Sequence, residues 1–361
     1  MTADPASPAV TAGPAAAHRA LAAERCRAQL LSGPHAASVT ELVQHLLAVQ
    51  GQDPRGARLA IRARSAGLTA ADVDHALTTE RSVLITTLNR GTLHLVHAED
   101  YWWLQALTTP PLLTASTRRL AQEKVPPDDA ERAVAAVQSA LATDGPLTRS
   151  ELRDRVAAVG VRTEGQAHVH ILLLASLRGL IVRGPVVAGE HAFVLVSDWL
   201  GAPPRLPGRD TMLAELARRY LAGHGPAADR DLARWAGLPL GEARRGLTAI
   251  SGELAGRDDG LASLAGRDRA GELPPPRLLG SFDPLLHGWN SREFVLGGRT
   301  GIVTAGGVFR PFALVDGQAA ATWTLTSGKV KLAPFAALSP ADEAALWEDA
   351  TAVTRYLGQR P

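Results

Sequence analysis

Hydrophobic and polar positions along the chain repeat one arrangement three times. In each copy a Gly-Pro pair precedes a short segment with apolar residues at helical spacing, and a second helical stretch follows. The pairs are Gly33-Pro34, Gly145-Pro146 and Gly225-Pro226. Gly-Pro ends the preceding helix, and a short polar residue then caps the next one. Because the spacing is irregular, the repetition indicates duplicated domains rather than a solenoid.

The helices of these copies have recognisable limits. Ser38-Val39-Thr40-Glu41 matches a capping box, in which the serine hydroxyl and the glutamate carboxylate accept hydrogen bonds from free backbone amides. The second helical stretches are predicted over residues 55–66, 166–179 and 241–254.

Extended segments follow each helix pair. In the first copy, residues 83–88 and 92–96 predict strands around Asn89-Arg90-Gly91, a turn in which the glycine permits positive φ. In the second copy, extended segments at 180–183 and 193–196 flank a glycine-containing loop, and the third copy, around 256–266, is weaker and more polar. Helix, helix and hairpin in this order predict a winged helix-turn-helix in each copy.

The C-terminal part departs from this plan. Residues 309–325 predict a β-hairpin about Asp316-Gly317, a type I′ turn signal, and residues 330–334 predict a further extended stretch. Residues 340–357 predict a closing helix that packs through a stripe of Ala, Leu and Trp. The predicted fold class is therefore α+β, with three tandem winged-helix domains, a C-terminal β-hairpin region and a closing helix.

These elements predict five segments: a disordered tail, three winged-helix domains, and a β-rich segment with a helix. Their limits are 1–17, 18–110, 111–205, 206–280 and 281–361. The tail carries Asp4 where a signal peptide is basic, and no apolar region follows it. No apolar run approaches the roughly eighteen residues of a membrane span. The lone Cys26 cannot form an intramolecular disulfide, so we expect a cytoplasmic protein with no membrane partner.

Composition and charge limit the class of partner. The chain is 46% hydrophobic and 20% charged, which excludes disordered and collagen-like proteins. Lys and Arg number 38 against 36 Asp and Glu, and only three of the 38 are lysines. Arginine binds phosphates bidentately and stacks on bases, although high-GC coding bias gives the same excess. With a net charge of +2, any nucleic-acid site has to be a local patch.

Metal and cofactor sites have little support. His94-x-x-His97 and His168-x-His170 lack cysteines or carboxylates at zinc spacing, and His94 and His97 on one strand point to opposite faces. The chain has no phosphate loop, no Gly-x-Gly-x-x-Gly after a strand and no Gly-x-Ser-x-Gly. We therefore expect no metal and no organic cofactor.

The most informative stretch is Val49-Gln50-Gly51-Gln52-Asp53-Pro54-Arg55. Asp53 and Pro54 predict the cap and the first residue of a helix. Gln50 and Gln52 lie two apart in an extended connection and project to the same side, where their amides can orient one water molecule. The alternative interpretation is a pair of solvated loop residues.

Neighbouring charged and aromatic residues also have two interpretations each. Arg55, Arg58 and Arg62 follow at helical spacing and form either a phosphate-binding stripe or a solvated face. Arg90 is either a turn residue or a wing arginine that reaches a DNA groove. Tyr101-Trp102-Trp103 either stacks on bases or anchors a core between domains.

Three motifs together resemble one protein family. They are the 49–55 stretch, Asn89-Arg90-Gly91-Thr92-Leu93-His94-Leu95-Val96, and Ser281-Phe282-Asp283-Pro284-Leu285-Leu286. With these motifs the chain resembles the AlkZ-like bacterial DNA glycosylases from about residue 18 to residue 358. The resemblance implies tandem winged helices that form a C-shaped clamp.

The resemblance also implies roles for individual residues. Gln50 and Gln52 occupy the catalytic Gln-x-Gln motif, in the branch associated with self-resistance to DNA-alkylating natural products. Gly51 departs from the bulkier residue common at that position, which leaves the pair less constrained. Arg90, Thr92 and His94 would lie on a DNA-contacting hairpin. Phe282-Asp283-Pro284 receives no catalytic role.

The chemistry of cationic purines explains how two neutral amides can suffice. A purine alkylated at N7 or N3 leaves as a neutral molecule, so no general acid is needed, and the oxocarbenium-like sugar captures a weak nucleophile. The amides then orient water and stabilise the migrating charge. We expect a monomeric, monofunctional glycosylase that acts on double-stranded DNA, including bulky adducts or interstrand crosslinks. The few lysines lie outside the motifs, which disfavours Schiff-base chemistry and strand cleavage.

Two other functions remain open at this stage. One is a non-catalytic winged-helix regulator that reads duplex sequence, usually as a symmetric dimer. The other is a resistance protein that sequesters the alkylating drug in an apolar cleft. Incubation with N7-alkylated duplex separates the three, because only a glycosylase releases free base.

Overall fold

A computed structural model describes residues 14–267 and 272–358, which form a mixed α+β protein. The first unit consists of α1 (Pro14–Ala28), α2 (Val39–Leu46), β1 (Val49–Gln50), α3 (Pro54–Arg62), α4 (Ala70–Thr78), β2 (Val83–Leu88) and β3 (Thr92–His97). Residues 14–17, assigned above to the tail, belong to α1. The rest of that tail lies outside the described residues.

Helix α2 begins with half of the predicted capping box. The Ser38 hydroxyl accepts from the Glu41 amide at 3.0 Å, as expected. The Glu41 carboxylate accepts instead from the amide of Ala37 at 2.8 Å, one residue earlier than the motif requires. The predicted start of the helix is therefore confirmed. The predicted bond from the Ser38 amide to Glu41 is wrong.

The second unit follows two linking helices, α5 (Tyr101–Thr108) and α6 (Pro110–Gln122). It consists of α7 (Pro127–Asp144), α8 (Arg149–Ala158), α9 (Ala167–Leu177), β4 (Ile181–Val187) and β5 (Glu190–Leu195). Thr148 and Glu151 form a complete capping box at the start of α8. Tyr101, at the start of α5, is fully buried in the core shared with the third unit, as the anchor interpretation requires.

The third unit ends without a two-stranded hairpin in the part of the chain that the structure describes. It contains α10 (Val196–Leu200), α11 (Arg209–His224), α12 (Asp229–Ala236) and α13 (Leu240–Ala249). Isolated bridges, Ala227 with Ala262 and Leu254 with Leu264, take the place of strands. The expected polar cap of α12 is also wrong: Ala228 stands at that position, and only the Asp231 carboxylate caps, accepting from the Ala228 amide at 2.9 Å.

The two hairpins join into one five-stranded sheet of order β1-β3-β2-β4-β5. The junction is the antiparallel pairing of Ile85 in β2 with Arg183 in β4. Because this pairing links residues far apart in sequence, local patterns did not predict it. The first and second units therefore share a sheet that runs from Gln50 at one edge to β5 at the other.

The C-terminal part forms a four-stranded sheet, order β6-β7-β8-β9, with two helices. Its elements are β6 (Arg277–Leu279), α14 (Glu293–Leu296), β7 (Phe312–Val315), β8 (Gln318–Thr326), β9 (Lys329–Pro334) and α15 (Pro340–Tyr356). Asp316 and Gly317 both have positive φ, 51° and 74°, as the predicted turn requires. Leu346, Ala350 and Val353 of α15 are buried.

One expectation for the closing helix was wrong. Trp347, which the predicted stripe included, is 44% exposed, because it lies beside the buried positions of α15 and not among them. None of the helices within 14–267 and 272–358 is long and apolar enough to cross a membrane.

Candidate functional site

The two glutamines of the 49–55 stretch meet at the edge of the five-stranded sheet. Gln50 ends β1, opposite His94 in β3, and the Gly51 amide donates to the Leu93 carbonyl at 2.8 Å. This backbone bond holds the turn after β1 against β3. The Gln50 amide nitrogen then donates to Gln52 Oε1 at 3.2 Å. The side chains lie on one side of the turn, with Gln50 only 5% exposed and Gln52 exposed.

Helix α3 begins directly after the pair, as the sequence predicts. Asp53 is its N-cap and Pro54 its first residue, and Asp53 Oδ1 accepts from the Arg55 amide at 3.0 Å. The Asp53 carboxylate is therefore committed to the helix start. The glutamines are held between a strand edge and a capped helix.

A small closed compartment lies behind Gln50. Its volume is about 10 Å³, which is at the lower limit for one water molecule. Its walls come from the first unit, the third unit and the C-terminal part: Ala48, Gln50, Arg90, His94, His224, Trp235, Pro284 and His287. Gln50 Oε1 and His287 Nε2 are buried, and neither has a hydrogen-bond partner in the described residues. These two orphaned atoms mark the compartment as polar.

The histidines of this compartment are uncharged near neutral pH. Burial, followed by the charge of Arg90, lowers the pKa of His94 to about 3. Burial also lowers the pKa of His224 to about 3 and that of His287 well below its usual value. The Nδ1–H of His94 donates to the Thr92 carbonyl at 2.9 Å. None of the three is therefore suited to donate a proton at neutral pH.

Arg90 connects the hairpin tip to the third unit. Its Nη1 donates to the carbonyls of Arg234 and Trp235, at 2.8 and 3.3 Å, where α12 ends. Gly237 permits this approach, because a Cβ there would lie 2.7 Å from the Asn89 carbonyl oxygen. Loss of solvation and the charge of Arg234 lower the pKa of Arg90. One guanidinium nitrogen thus bonds to the third unit, while the residue as a whole remains exposed.

The predicted arginine stripe on α3 does not form one free face. Arg62 makes a bidentate ion pair with Asp349 of α15, at 2.9 and 2.8 Å, and donates to the Leu278 carbonyl. Arg58 pairs with Asp74 of α4. Arg55 is exposed, with a long contact of 3.4 Å to the Leu325 carbonyl. The three arginines have the predicted helical spacing. Arg58 and Arg62, however, form ion pairs with carboxylates of other helices.

A buried ion pair that no sequence pattern predicted lies just after this helix. Arg64 and Asp283 are both fully buried and bind bidentately, at 2.9 and 2.7 Å. Gln29 Oε1 accepts a further bond from Arg64 at 2.9 Å. This pair gives the 281–286 motif a structural role, because it joins that segment to the end of α3. The available signal was Asp283, a charged residue between Phe282 and the apolar Pro284-Leu285-Leu286.

A larger, open cavity has Gln52 in its wall. It has a volume of about 270 Å³ and lies between the first and second units, lined in part by Gln52, Thr86, Thr87, Ser176, Arg149 and Arg183. Gln52 therefore lines the open cavity, whereas Gln50 lines the closed compartment. Among the described residues, no group of three or more His, Cys, Asp or Glu side chains can hold a metal ion.

Comparison with known proteins finds a matching family and a similar solved structure. The family model for DNA glycosylase AlkZ-like proteins matches residues 43–356. The solved structure of Streptomyces sahachiroi DNA glycosylase AlkZ matches with a TM-score of 0.76 and 26% identity, covering 94% of this chain and 96% of that one. No curated protein matches. Because the family model spans most of its length, the chain belongs to the AlkZ-like DNA glycosylase family.

Proposed function

We propose that this chain is a monofunctional DNA glycosylase that hydrolyses the N-glycosidic bond of purines alkylated at N7 or N3. The observation that carries the proposal is the contact between the Gln50 and Gln52 carboxamides at the wall of the open cavity. Family membership supplies the reaction class. The choice of cationic purines follows from the chemistry of a neutral site.

The site offers carboxamides and uncharged histidines where a glycosylase for ordinary bases needs an acid. A neutral base leaves slowly without protonation, whereas an alkylated, cationic purine departs unaided. The sugar then carries positive charge, which carbonyl dipoles stabilise, and it captures a water molecule, whose excess proton passes to the solvent as the C1′ hydroxyl forms. The main task of the protein is to place that water.

The two glutamines have different tasks in this proposal. Gln50 is nearly buried, and its N–H bond to Gln52 Oε1 fixes the orientation of the second carboxamide. Gln52 Oε1 keeps a second lone pair, which accepts a hydrogen from water in the open cavity. Gln52 therefore orients the nucleophile, and Gln50 orients Gln52 and adds its dipole.

The proposed DNA surface differs from the one that the sequence suggested. We propose that the three helical units act as tandem winged helices that close around double-stranded DNA. Arg55 and Arg90 are exposed and remain candidates for phosphate contacts. Arg62 and His94 are removed from the set, because an ion pair holds the first and burial encloses the second. Arg58 is paired and Thr92 is half-buried, so both contribute less.

The finer features extend the same proposal. The enzyme acts as a monomer in the cytoplasm on small adducts and on bulky adducts or crosslinks left by an alkylating natural product, as self-resistance. The open cavity of about 270 Å³ beside Gln52 supports space for a substituent larger than methyl. No metal or organic cofactor takes part in the proposed reaction.

A single-turnover excision assay tests the proposal. The substrates are end-labelled duplexes with one N7-methylguanine or one bulky N7 adduct, and alkali reveals abasic sites. We expect free base without strand cleavage by the protein, and a loss of about a hundredfold in rate for Gln50→Ala or Gln52→Ala with DNA affinity retained. Gln122→Ala, an exposed glutamine on α6, is the matched control.

Two results would overturn the proposal. One is normal excision by the Gln50→Ala, Gln52→Ala double variant, which would remove the glutamines from the chemistry. The other is a wild-type protein that leaves both duplexes intact. Tight binding to one undamaged sequence would then favour a regulator, and binding of free drug would favour sequestration.

A further inference from the structure

A second cleft borders the open cavity and has an unusual surplus of arginine. Its volume is about 630 Å³, and it lies between the start of α3 and the second unit. Arg58, Arg149, Arg153 and Arg183 line it. Arg149 and Arg183 also line the cavity that contains Gln52, so the two spaces share these side chains.

Arg183 is held in place without an anionic partner. It lies in β4 where that strand meets β2, and its guanidinium stacks over Phe193 at 4.7 Å. No acceptor for its guanidinium occurs among residues 14–267 and 272–358. Burial, followed by the charge of Arg149, lowers its pKa to about 10. Packing thus fixes a half-buried cation that has no anionic partner among the described residues.

Arg149 is unmatched in the same way. It is the first residue of α8, is exposed, and has no carboxylate within ion-pair distance in the described chain. Arg155, on the same helix, contrasts with it, because its guanidinium pairs with Asp144 at 2.7 Å.

The carboxylates near the cleft do not offset this surplus. Asp74 pairs with Arg58, and Asp154 lies 3.8 Å from Arg153. Glu190 lines the cleft from the exposed hairpin tip. Arg149 and Arg183 repel each other, and an anion with several oxygens relieves that repulsion while accepting bidentate bonds. A phosphodiester has this chemistry.

We propose that Arg149 and Arg183 form a DNA phosphate-binding site that holds the strand passing Gln52. This site, and not the arginine stripe of α3, then sets the register of the duplex against the glutamines. The inference rests on the proposed function for its ligand, since a glycosylase substrate brings phosphates to both sides of the lesion. It assigns to the second unit a contact that the sequence motifs place in the first.

Salt-dependent binding of undamaged duplex tests the site. Each phosphate contact contributes about 0.9 to the slope of log affinity against log salt. Arg149→Gln and Arg183→Met should each lower that slope by about 0.9 and weaken binding roughly threefold to tenfold. Methionine keeps an apolar stem over Phe193, which limits disturbance of the core. Arg155→Gln, the same charge change on α8, should leave the slope unchanged.

Arg183→Lys distinguishes a phosphate contact from a role in supporting the core. The excision assay tests the proposed chemistry separately. Lysine keeps the charge, so it should restore the slope if the site binds phosphate and not if Arg183 only supports the core. A wild-type slope in the Arg149→Gln, Arg183→Met double variant would overturn the site, whether or not the protein excises bases. If excision fails while the slope still falls, the site stands and the proposed chemistry does not.

Discussion

The two sides of the glutamine pair differ in size, charge and origin. Behind Gln50 lies a closed compartment of about 10 Å³ with three histidines that burial keeps neutral. In front of Gln52 lies a cavity of about 270 Å³ that contains Arg149 and Arg183. Arg90 lies in the wall of the closed compartment, and its guanidinium donates to the carbonyls of Arg234 and Trp235. Arg149 and Arg183 have no carboxylate partner among the described residues, and they line the open cavity with Gln52, where they remain available for an anionic polymer.

The largest predicted effect is a loss of stability on removal of the Arg64–Asp283 ion pair, which lies next to the closed compartment. Asp283→Ala leaves Arg64 buried and unpaired, next to the segment that carries Pro284 and His287. We expect a loss of about 3–5 kcal/mol in the free energy of unfolding, measured by urea denaturation. Arg19→Ala breaks the ion pair with Asp316, whose two side chains are 57% and 68% exposed, and should cost less than about 1 kcal/mol. Equal losses in the two variants would contradict this account.

A second effect, which is small near pH 6 and grows as the pH falls, comes from the neutral histidines. Unfolding returns His94 and His224 from a pKa of about 3 to about 6.5, so below pH 6.5 the unfolded chain takes up protons that the native protein does not. Stability is therefore fully present above pH 6.5 and declines as the pH falls toward 3, by about 1.4 kcal/mol per pH unit for each histidine. Denaturation at pH 7, 6 and 5 measures this slope.

A variant isolates the histidine contribution. His224→Phe retains a ring beside Tyr220 and removes one titrating group, so the decline with acid should become shallower. The rate of excision should stay flat from pH 6 to pH 8, because neither histidine changes charge there. An excision rate that falls with a midpoint near 6.5 would mean that a charged histidine takes part.

The smallest predicted effect lies at the boundary between the two sides. A Cβ at Gly51 would lie 3.0 Å from Leu95 Cδ1, a contact that a small shift of the leucine relieves, and the Gly51 backbone does not require positive φ. Gly51→Ala should therefore change stability by less than about 1 kcal/mol. Excision should stay within about threefold of wild type in the single-turnover assay. A much larger loss would show that the pair depends on an unsubstituted position.

Local signals in the sequence predicted local structure well. The Asp53-Pro54 helix start, the Asn89-Arg90-Gly91 turn and the Asp316-Gly317 turn all depend on neighbouring residues, and the structure contains each. The meeting of the two glutamines also followed from their spacing. Whether they are catalytic stays a prediction.

The same reasoning could not predict contacts between residues that are distant in sequence. The spacing on α3 indicated three cations on one face, but it did not indicate that Asp349 would form an ion pair with Arg62. Arg149 and Arg183 belong to different elements and gave no shared motif. A charge pattern specifies where cations stand along an element, whereas tertiary packing decides which of them remain unmatched.

The Arg64–Asp283 ion pair has a consequence for biosynthesis. The helix that follows the glutamines is complete early in translation, yet the carboxylate that neutralises its buried arginine emerges much later from the ribosome. Until then, the arginine that follows α3 lacks the partner that permits its burial, so that region gains its full stability only late in synthesis. A prematurely terminated product would retain the glutamine pair and its backbone bond to β3 but lack the carboxylate that pairs with Arg64.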